Sequence, residues 1–450
     1  MSDTDRPNVV VVFTDQQRWD TLGCYGNPMD ITPNLDAAAG RGTRFERAVS
    51  AQPVCGPTRA TLQTGQYATT HGVTTNGGVL PEAPHNLARV FGRAGYRTGY
   101  VGKWHISSAR RAPVPEGERG GYDHWVAADA LEHTSHPYEG VLYDGDGERV
   151  DFQQYRVDAL TDLAVEFIEE SAGDPFFCTL SYLEPHHQND MGRYVAPEGY
   201  AYRYRNPWVP PDLRGVPGDH HEELPDYYGI CARIDECYGR VLDALEAQGV
   251  LENTVVAFVS DHGSHFRTRN HEYKRSAHDA SARVPLVLRG PGFDGGGVVE
   301  EPVSLVDLPP TLLDSAGVEV PAAMEGEPLE PLVRGETNWR DGAFIQPISG
   351  EEVGRALRTE QWTYAVYAPG AEGTEGGAAR YVNPEGETAQ PDRYLERYLY
   401  DNRADPAQRT NLVGRSDYRD VADDLRERLL ARIAAIEGYE PTIGRAEYRA

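Results

Sequence analysis

Two pairs of neighbouring polar residues place oxygen and nitrogen ligands directly after apolar segments of the chain. Asp15 and Gln16 form one pair, and Asp261 and His262 form the other. Carboxylate and amide oxygens are the ligands that hard divalent cations prefer, and an imidazole among them also admits Mn²⁺. A single pair of this kind often caps a helix or faces solvent. Two pairs at the ends of buried strands in one sheet favour a metal site.

Cys55 lies in a segment that predicts a turn able to stabilise an anion. It precedes Gly56, Pro57 and an apolar stretch that closes at Gly65, which predicts a short helix beginning just after the cysteine. The N-terminus of a helix carries partial positive charge, and Arg59, one turn further on, adds a fixed cation. The usual alternative for a cytosolic cysteine is an inert, small apolar residue. That alternative suits the other four cysteines, Cys24, Cys178, Cys231 and Cys237.

Lysine is rare in this chain. Of the 43 lysines and arginines, only Lys103 and Lys274 are lysines. A planar guanidinium cannot replace a compact ammonium group at every site, so a lysine kept in an arginine-rich chain is a candidate functional residue. Composition alone leaves chance retention of the two lysines equally open.

The candidate residues follow four apolar runs, which we interpret as strands buried on both faces. Each run is followed by Asp, Gln, Lys or His, and the runs cover residues 8–13, 97–101, 176–183 and 254–260. Between them lie amphipathic patterns typical of helices, notably over residues 155–170 and 226–248. This alternation predicts an α/β fold with a mostly parallel central sheet flanked by helices. In such sheets, ligands bind beyond the carboxyl ends of the strands.

The pattern loosens towards the C-terminus and predicts a second, smaller unit. We expect an α/β catalytic domain over residues 1–345 and a C-terminal α+β subdomain over residues 346–450. The run 362–367 predicts one strand of a small antiparallel sheet, and the pattern near 418–436 predicts a helix.

Composition excludes several classes of function. The chain has 450 residues, 39% of them hydrophobic, and a formal net charge of −27. It can therefore bury a sizeable core, and its acid excess argues against electrostatic binding to nucleic acid or to an anionic membrane. No apolar stretch approaches the ~20 residues of a membrane span. The N-terminal sequence lacks the basic and apolar regions of an export signal, so we expect a cytoplasmic protein. The oligomeric state is not indicated.

The segment Cys55-Gly-Pro-Thr-Arg59, followed by Leu62 and Thr64-Gly65, resembles the signature of the formylglycine-dependent sulfatases, in the alkaline phosphatase superfamily. Companion motifs of the same family follow in order along almost the whole chain. They are Asp15-Gln16, Thr32-Pro-Asn-Leu35, Gly102-Lys-Trp-His105, Pro185-His186, Ser260-Asp-His-Gly263, Arg283-Val-Pro-Leu286, Asp307-Leu-Pro-Pro-Thr-Leu-Leu313 and Leu399-Tyr-Asp401.

The resemblance implies an alkaline phosphatase-like fold and the hydrolysis of a sulfate ester, carried by a small molecule or a carbohydrate. A separate formylglycine-generating enzyme would oxidise Cys55 to formylglycine (3-oxoalanine), whose hydrate is the nucleophile. The family's divalent cation is usually calcium. Its implied ligands in this chain are Asp15, Gln16, the modified Cys55, Asp261 and His262.

The resemblance also implies roles for the other motif residues. Arg59 would steady the hydrate, and Lys103 and Lys274 would bind the sulfate oxygens. His105 and His186 would handle protons at the hydrate and the leaving group. If the alignment were shifted by one residue, Arg275 would take the place of Lys274.

Three positions depart from the commonest sulfatase pattern. Gln16 stands where many members have aspartate, His262 where many have asparagine, and Thr58 where many have serine. The Asp-Gln and Asp-His forms resemble choline sulfatases and phosphonate monoester hydrolases of the superfamily, and they make Mn²⁺ or Mg²⁺ admissible. Two alternatives therefore stay open: a phosphonate monoester or phosphodiester hydrolase, and a metal-binding protein in which Cys55 is unmodified. The alcohol part of the substrate, whether sugar, aryl or choline-like, is not indicated.

Overall fold

The computed structural model describes residues 6–348, 352–369 and 390–447. Within these ranges a large mixed sheet of twelve strands forms the centre of the molecule. Its strands are β1 (Asn8–Thr14), β2 (Thr43–Val49), β3 (Arg97–Lys103), β4 (His124–Ala128), β5 (Ser135–His136), β6 (Glu139–Tyr143), β7 (Arg149–Phe152), β8 (Phe176–Ser181), β9 (Thr254–Ser260), β10 (Arg283–Val284), β11 (Leu286–Arg289) and β12 (Gly297–Ser304).

The middle of this sheet is parallel, as the four apolar runs predict. The strands lie in the order β9-β1-β8-β3-β4, and every neighbouring pair among them is parallel. Antiparallel pairs occur towards the edges, where β11 joins β9 to β2 and β6 follows β4. β-Branched residues suit buried strands, and every residue of β1 is buried. The predicted α/β fold class is therefore confirmed.

Helices cover both faces of the large sheet. Because alternate residues of a strand point to opposite faces, Val10 and Val12 pack in one apolar cluster, whereas Val9 and Val11 pack in another. The helices are α1 (Pro33–Arg41), α2 (Cys55–Thr64), α3 (Ala68–His71), α4 (Leu87–Arg93), α5 (Leu131–Thr134), α6 (Arg156–Ser171), α7 (Tyr200–Arg203), α8 (His220–Ala247), α9 (Asp279–Ala282), α10 (Leu308–Ser315), α11 (Glu330–Val333) and α12 (Arg419–Glu437). Among these described helices, none has the length and apolar character needed to cross a bilayer.

A second, five-stranded sheet lies in the C-terminal part of the described chain. Its strands are β13 (Gly342–Ile345), β14 (Gly354–Thr359), β15 (Trp362–Tyr367), β16 (Arg393–Asp401) and β17 (Thr442–Gly444). Successive pairs are antiparallel except for β16 and β17, which are parallel. Helix α12 packs on this sheet through Leu425, Leu429 and Ile433. The predicted boundary at residue 345 falls at the end of β13, and the division into two domains stays a prediction.

A buried ion pair joins the second sheet to the first. Arg358 on β14 donates from Nε and Nη2 to the two carboxylate oxygens of Asp279 at 2.7 and 2.8 Å. The Asp279 backbone N–H donates to Gln408 Oε1 at 2.7 Å. The preceding residue, His278, contacts the hydroxyl of Tyr400 on β16 through Nε2 at 3.1 Å. The segment that leads into α9 is thus held by side chains of the C-terminal part.

Candidate active site

The register of the central strands brings Asp15 and Asp261 together. Thr14 and Ser260 are opposite each other in the parallel β1–β9 ladder, so the residues that follow them leave the same edge of the sheet side by side. The backbone N–H groups of Gln16 and His262 both donate to Asp261 Oδ1, at 3.0 and 2.8 Å. Both acidic side chains are completely buried.

Cys55, the first residue of α2, lies against this acidic pair. Its Sγ is 3.4 Å from Asp15 Oδ1 and 3.2 Å from His262 Nε2. One ligand atom from each of Asp15, Cys55, Asp261 and His262 can be chosen so that all four lie within 4.8 Å of one another. Burial raises the pKa of the Cys55 thiol to about 12, so the unmodified residue is a neutral thiol rather than a thiolate near neutral pH.

The hydrogen bonds around this cluster leave ligand atoms unused. His262 Nδ1 lies 2.8 Å from the Gly263 carbonyl oxygen, which can only accept, so in the neutral ring Nε2 keeps its lone pair. The Gln16 amide donates from Nε2 to the Tyr194 hydroxyl at 2.5 Å. Within the described residues, Gln16 Oε1 and Asp261 Oδ2 are buried without a hydrogen-bond partner. A buried oxygen without a partner is costly, and coordination to a cation would satisfy it.

Two buried cations stabilise the ionised form of Asp15. Lys103, the last residue of β3, donates from Nζ to Asp15 Oδ2 at 2.9 Å, and Arg59 donates to the same oxygen at 3.0 Å. Burial alone would raise the pKa of Asp15, but the surrounding cations, Lys103 first among them, hold it well below its usual value. Arg59 also donates to the Lys103 carbonyl and to Ser181 Oγ, at 2.8 and 2.7 Å.

Lys274 reaches the cluster from a long loop after β9. Its ammonium donates to Cys55 Sγ at 2.7 Å and to His262 Nε2 at 3.2 Å. Its backbone carbonyl accepts hydrogen bonds from His265 Nε2 and Asn270 Nδ2, at 3.1 and 2.8 Å. The neighbouring Arg275 pairs instead with Glu272, at 2.6 Å. The structure therefore brings the lysine, and not the adjacent arginine, to the cysteine.

The two histidines expected to handle protons, His105 and His186, line the same cavity as Cys55. His186 Nδ1 lies 2.6 Å from the His187 carbonyl oxygen, and its Nε2 lies 3.5 Å from the Lys274 ammonium. His105 Nε2 lies 3.5 Å from Glu132 Oε1. Burial lowers the pKa of each of these histidines to about 3, so both imidazoles are neutral at physiological pH.

A cavity of about 380 Å³ opens above the cysteine. Its lining includes Gln16, Cys55, His105, Glu132, His186 and Lys274. Exposed polar side chains, among them Asn189, Arg267 and His271, line it as well. Neither Lys103 nor Arg59 is part of this lining, and both lie beneath it, bonded to Asp15. The chain thus forms a pocket whose wall contains the Lys274 ammonium, the imidazoles of His105 and His186 and the cysteine.

Four residues of this site are not among the predicted site residues. Glu132 belongs to the short helix α5, far from every motif, and its carboxylate lies 3.2 Å from the Lys103 ammonium. Tyr194 binds the Gln16 amide, and His265 and Asn270 hold the loop of Lys274. All four act through contacts made only in the folded chain, so no spacing in the sequence indicates them.

The comparisons with known proteins agree with this architecture. The family model named Sulfatase matches residues 7–318. The chain is 33% identical to the ulvan-active sulfatase of Formosa agariphila, over 96% of this chain and 82% of that protein. It is 28% identical to the arylsulfatase of Clostridium perfringens, over 96% of each chain.

Two solved structures are similar over nearly the whole chain. One is a protein in complex with its substrate D-glucosamine-2-N,6-O-disulfate, with a TM-score of 0.77 and 23% identity, covering 97% of this chain and 99% of that chain. The other is the phosphonate monoester hydrolase of Silicibacter pomeroyi, with a TM-score of 0.69 and 23% identity, covering 96% of each. At this identity the two structures establish the fold alone.

The central sheet, its helices and the second small sheet define the class of alkaline phosphatase-like folds. Within that class, the chain belongs to the sulfatase family. It is an enzyme that hydrolyses sulfate esters.

Proposed function

We propose that this sulfatase acts on a sulfated carbohydrate through a formylglycine made from Cys55, with a divalent cation held beside it. The observation that carries the proposal is the position of Cys55 Sγ, which lies 3.4 Å from Asp15, 3.2 Å from His262 and 2.7 Å from Lys274. A nucleophile at this point lies between a set of ligand atoms and an ammonium that can bind the substrate's anionic group.

The modification of Cys55 requires a separate maturation enzyme, which supplies the oxidant and removes the sulfur. Formylglycine hydrate supplies two hydroxyl groups on one carbon, one to attack sulfur and one whose proton is lost when sulfate is expelled. Arg59 Nε is buried without a hydrogen-bond partner within the described residues, so it is a donor still available to an oxygen at residue 55. The neutral thiol of the unmodified residue would be a weak nucleophile by comparison.

The residues around Cys55 fit a divalent cation. Asp15, Asp261 and Gln16 offer oxygen atoms, His262 offers Nε2, and the oxygens of the modified residue 55 would complete the set. Oxygen donors suit calcium, which we propose as the ion. Because the set also contains an imidazole, Mn²⁺ and Mg²⁺ are the alternative ions that a metal analysis should test. A bound divalent ion supplies charge stabilisation at the reacting oxygens.

The chain's own side chains divide the remaining tasks. Lys274 lies in the cavity wall and would bind a sulfate oxygen, while Lys103 acts from beneath by holding Asp15. His186 Nε2 and the Lys274 ammonium, 3.5 Å apart, form a pair that can deliver a proton to the departing alcohol. His105 lines the same cavity and would handle the proton at the nucleophile.

The size and rim of the cavity support a sugar as the alcohol part. Its volume of about 380 Å³ lies in the range of small-molecule sites. The exposed Arg267 and His271 add hydrogen-bond donors at the rim, which suits a polyhydroxylated ligand. The matched relative named for activity on ulvan, and the fold neighbour solved with a sulfated glucosamine, are consistent with this class of substrate.

Mass spectrometry of the peptide that contains Cys55 tests the modification. In protein from the native host, or co-produced with a maturation enzyme, we expect that peptide to be about 18 Da lighter than the cysteine form. The variant Cys55→Ala, prepared in the same way, should lose sulfatase activity. A free thiol at full specific activity would contradict the proposal.

A panel of esters separates the proposed activity from its alternatives. Sulfated monosaccharides and oligosaccharides, an aryl sulfate, a phosphodiester and a phosphonate monoester should be compared by kcat/KM. We expect the sulfated sugars to give the highest values. A phosphonate monoester as the best substrate would instead favour the alternative hydrolase, and absence of turnover together with a free thiol would favour a metal-binding protein.

A further inference from the structure

Glu132 places a third buried carboxylate in the active site. Its side chain is 6% exposed and lines the same cavity as Cys55 and Lys274. Oε2 lies 3.2 Å from the Lys103 ammonium, and Oε1 lies 3.5 Å from His105 Nε2. Burial alone would raise the pKa of Glu132, but Lys103 lowers it below its ordinary value, so the carboxyl is ionised at neutral pH.

This carboxylate is separate from the candidate metal ligands. The cluster that could hold an ion consists of Asp15, Cys55, Asp261 and His262, and Glu132 is not in it. Its Oε2 has no hydrogen-bond partner within the described residues and is held only by the ion pair with Lys103. A carboxylate in the wall of a pocket that binds anions weakens anion binding. The position of Glu132 therefore indicates a role other than binding the substrate's anionic group.

The charges of the site show what Glu132 changes. The buried carboxylates of Asp15, Asp261 and Glu132 face the buried cations of Arg59, Lys103 and Lys274. When all six groups are ionised, their charges cancel, and without Glu132 the protein would contribute one more positive charge. Whatever ion the cluster binds, each additional negative charge on a ligand in the cavity is repelled by Glu132 across a medium of low dielectric constant.

We infer that Glu132 is a specificity-determining residue, which makes the site select a singly charged ester over a doubly charged one. A sulfate ester carries one negative charge, whereas a phosphate monoester of the same shape carries two above its second ionisation. Both esters have similar geometry, so contacts alone discriminate between them poorly. A fixed negative charge in the pocket wall discriminates by repelling the second charge. The inference rests on the proposed function and assigns the charge class of its substrate.

The variant Glu132→Gln tests this role because it removes the charge and keeps the shape. We would measure kcat/KM at about pH 8 for three 4-nitrophenyl esters with the same leaving group, namely the sulfate, the phenylphosphonate and the phosphate, only the last being doubly charged. We expect the preference for the sulfate over the phosphate to fall about tenfold in the variant. The preference for the sulfate over the phenylphosphonate should change little. Glu132→Asp, which keeps the charge, should retain the wild-type preference.

Two controls separate selection by charge from a purely structural role of Glu132. Glu82→Gln makes the same substitution at an exposed residue paired with Arg89, and its preference should equal that of the wild type. A residue that merely positioned Lys103 and His105 would, when changed, reduce all three rates together. An unchanged ratio of sulfate to phosphate in Glu132→Gln would therefore overturn the inference.

A binding measurement gives a second readout that needs no turnover. In the Cys55→Ala background, calorimetry would compare inorganic sulfate, which is doubly charged, with methyl sulfate, which is singly charged. We expect Glu132→Gln to tighten inorganic sulfate about tenfold more than methyl sulfate. Equal changes for the two anions would contradict the inference. If the wild-type enzyme hydrolysed neither these esters nor the sulfated sugars, the proposed function would fail, and this measurement would still decide the role of Glu132.

Discussion

Replacing Lys103 by arginine should abolish most turnover although the positive charge is kept. The lysine side chain is completely buried, with its ammonium 2.9 Å from Asp15 and 3.2 Å from Glu132. A guanidinium is planar and reaches further, so it cannot enter this space without displacing one of the carboxylates. Overpacking costs about 1–3 kcal/mol of stability, and a displacement of about 1 Å near reacting groups costs roughly a hundredfold in rate. We therefore expect kcat/KM to fall about a hundredfold.

The assay is the hydrolysis of an aryl sulfate, with the formylglycine content of each preparation measured so that rates refer to modified molecules. The neutral variant Lys103→Met should lose about 3–5 kcal/mol of stability as well, because it leaves buried carboxylates short of a cation. Arg334→Lys, at an exposed residue paired with Glu330 and Glu336, is the control for arginine–lysine exchange and should behave as the wild type. If Lys103→Arg retained kcat/KM within about threefold of the wild type, the argument from its buried position would be refuted.

Four further predictions concern the metal, the ion pair between Arg358 and Asp279, and the loop of Lys274. Calcium at a hundred times its Kd should stabilise the metal-stripped protein by about 2.7 kcal/mol, measured as a rise in melting temperature. The variant Asp261→Asn should lose this response. An equal response in the variant would exclude Asp261 as a ligand. Arg358→Met should cost about 3–5 kcal/mol in denaturant unfolding, because it removes the nearest cation from the buried Asp279 and leaves it with the more distant Arg283, at 4.0 Å. A loss below about 1 kcal/mol would contradict the role of the Arg358–Asp279 pair. Burial alone would raise the pKa of Asp279, but Arg358 lowers it below its ordinary value. The ionised Asp279 therefore stabilises the folded protein above about pH 4, and this contribution is lost as the pH falls further. The difference between the wild type and Asp279→Asn should accordingly shrink in acid, and a constant difference would argue against this linkage. His265→Phe should lower kcat about tenfold by removing one of two hydrogen bonds to the Lys274 carbonyl, and unchanged kinetics would show that the loop is held without it.

Much of the central sheet could be predicted from the sequence, because its strands are buried on both faces and appear as unbroken apolar runs. The runs at 8–13 and 254–260 correspond to β1 and β9, and the polar residues after them lie at one edge. The antiparallel strands β10 and β11 could not be predicted in the same way. They are two and four residues long, and their pairing with β2 and β9 depends on contacts between distant parts of the chain.

The candidate site could be predicted to the extent that its residues lie in motifs. The residues expected near Cys55 do lie around it. From the sequence, however, Lys103 and Lys274 are both expected to bind the sulfate oxygens, whereas in the structure the two lysines lie in different parts of the site. Lys274 lies in the cavity wall, and Lys103 lies beneath it between two carboxylates. The reason is Glu132, whose approach to Lys103 depends on the packing of α5 beside β4 and β6. No local pattern of residues encodes that contact.

The alignment of Thr14 with Ser260 has a consequence for how the ion preference of such a protein can evolve. Because Asp15 and Asp261 leave adjacent parallel strands at the same level, the distance between their main chains follows the spacing of hydrogen-bonded strands, about 4.8 Å. The backbone ladder would have to break before the main chains at these two positions could move apart, so only side-chain torsions can change the distance between the carboxylates. Under the proposed metal role, adaptation to a different ion would proceed by exchange of the side chains at positions 16 and 262, while the scaffold beneath them stays constant.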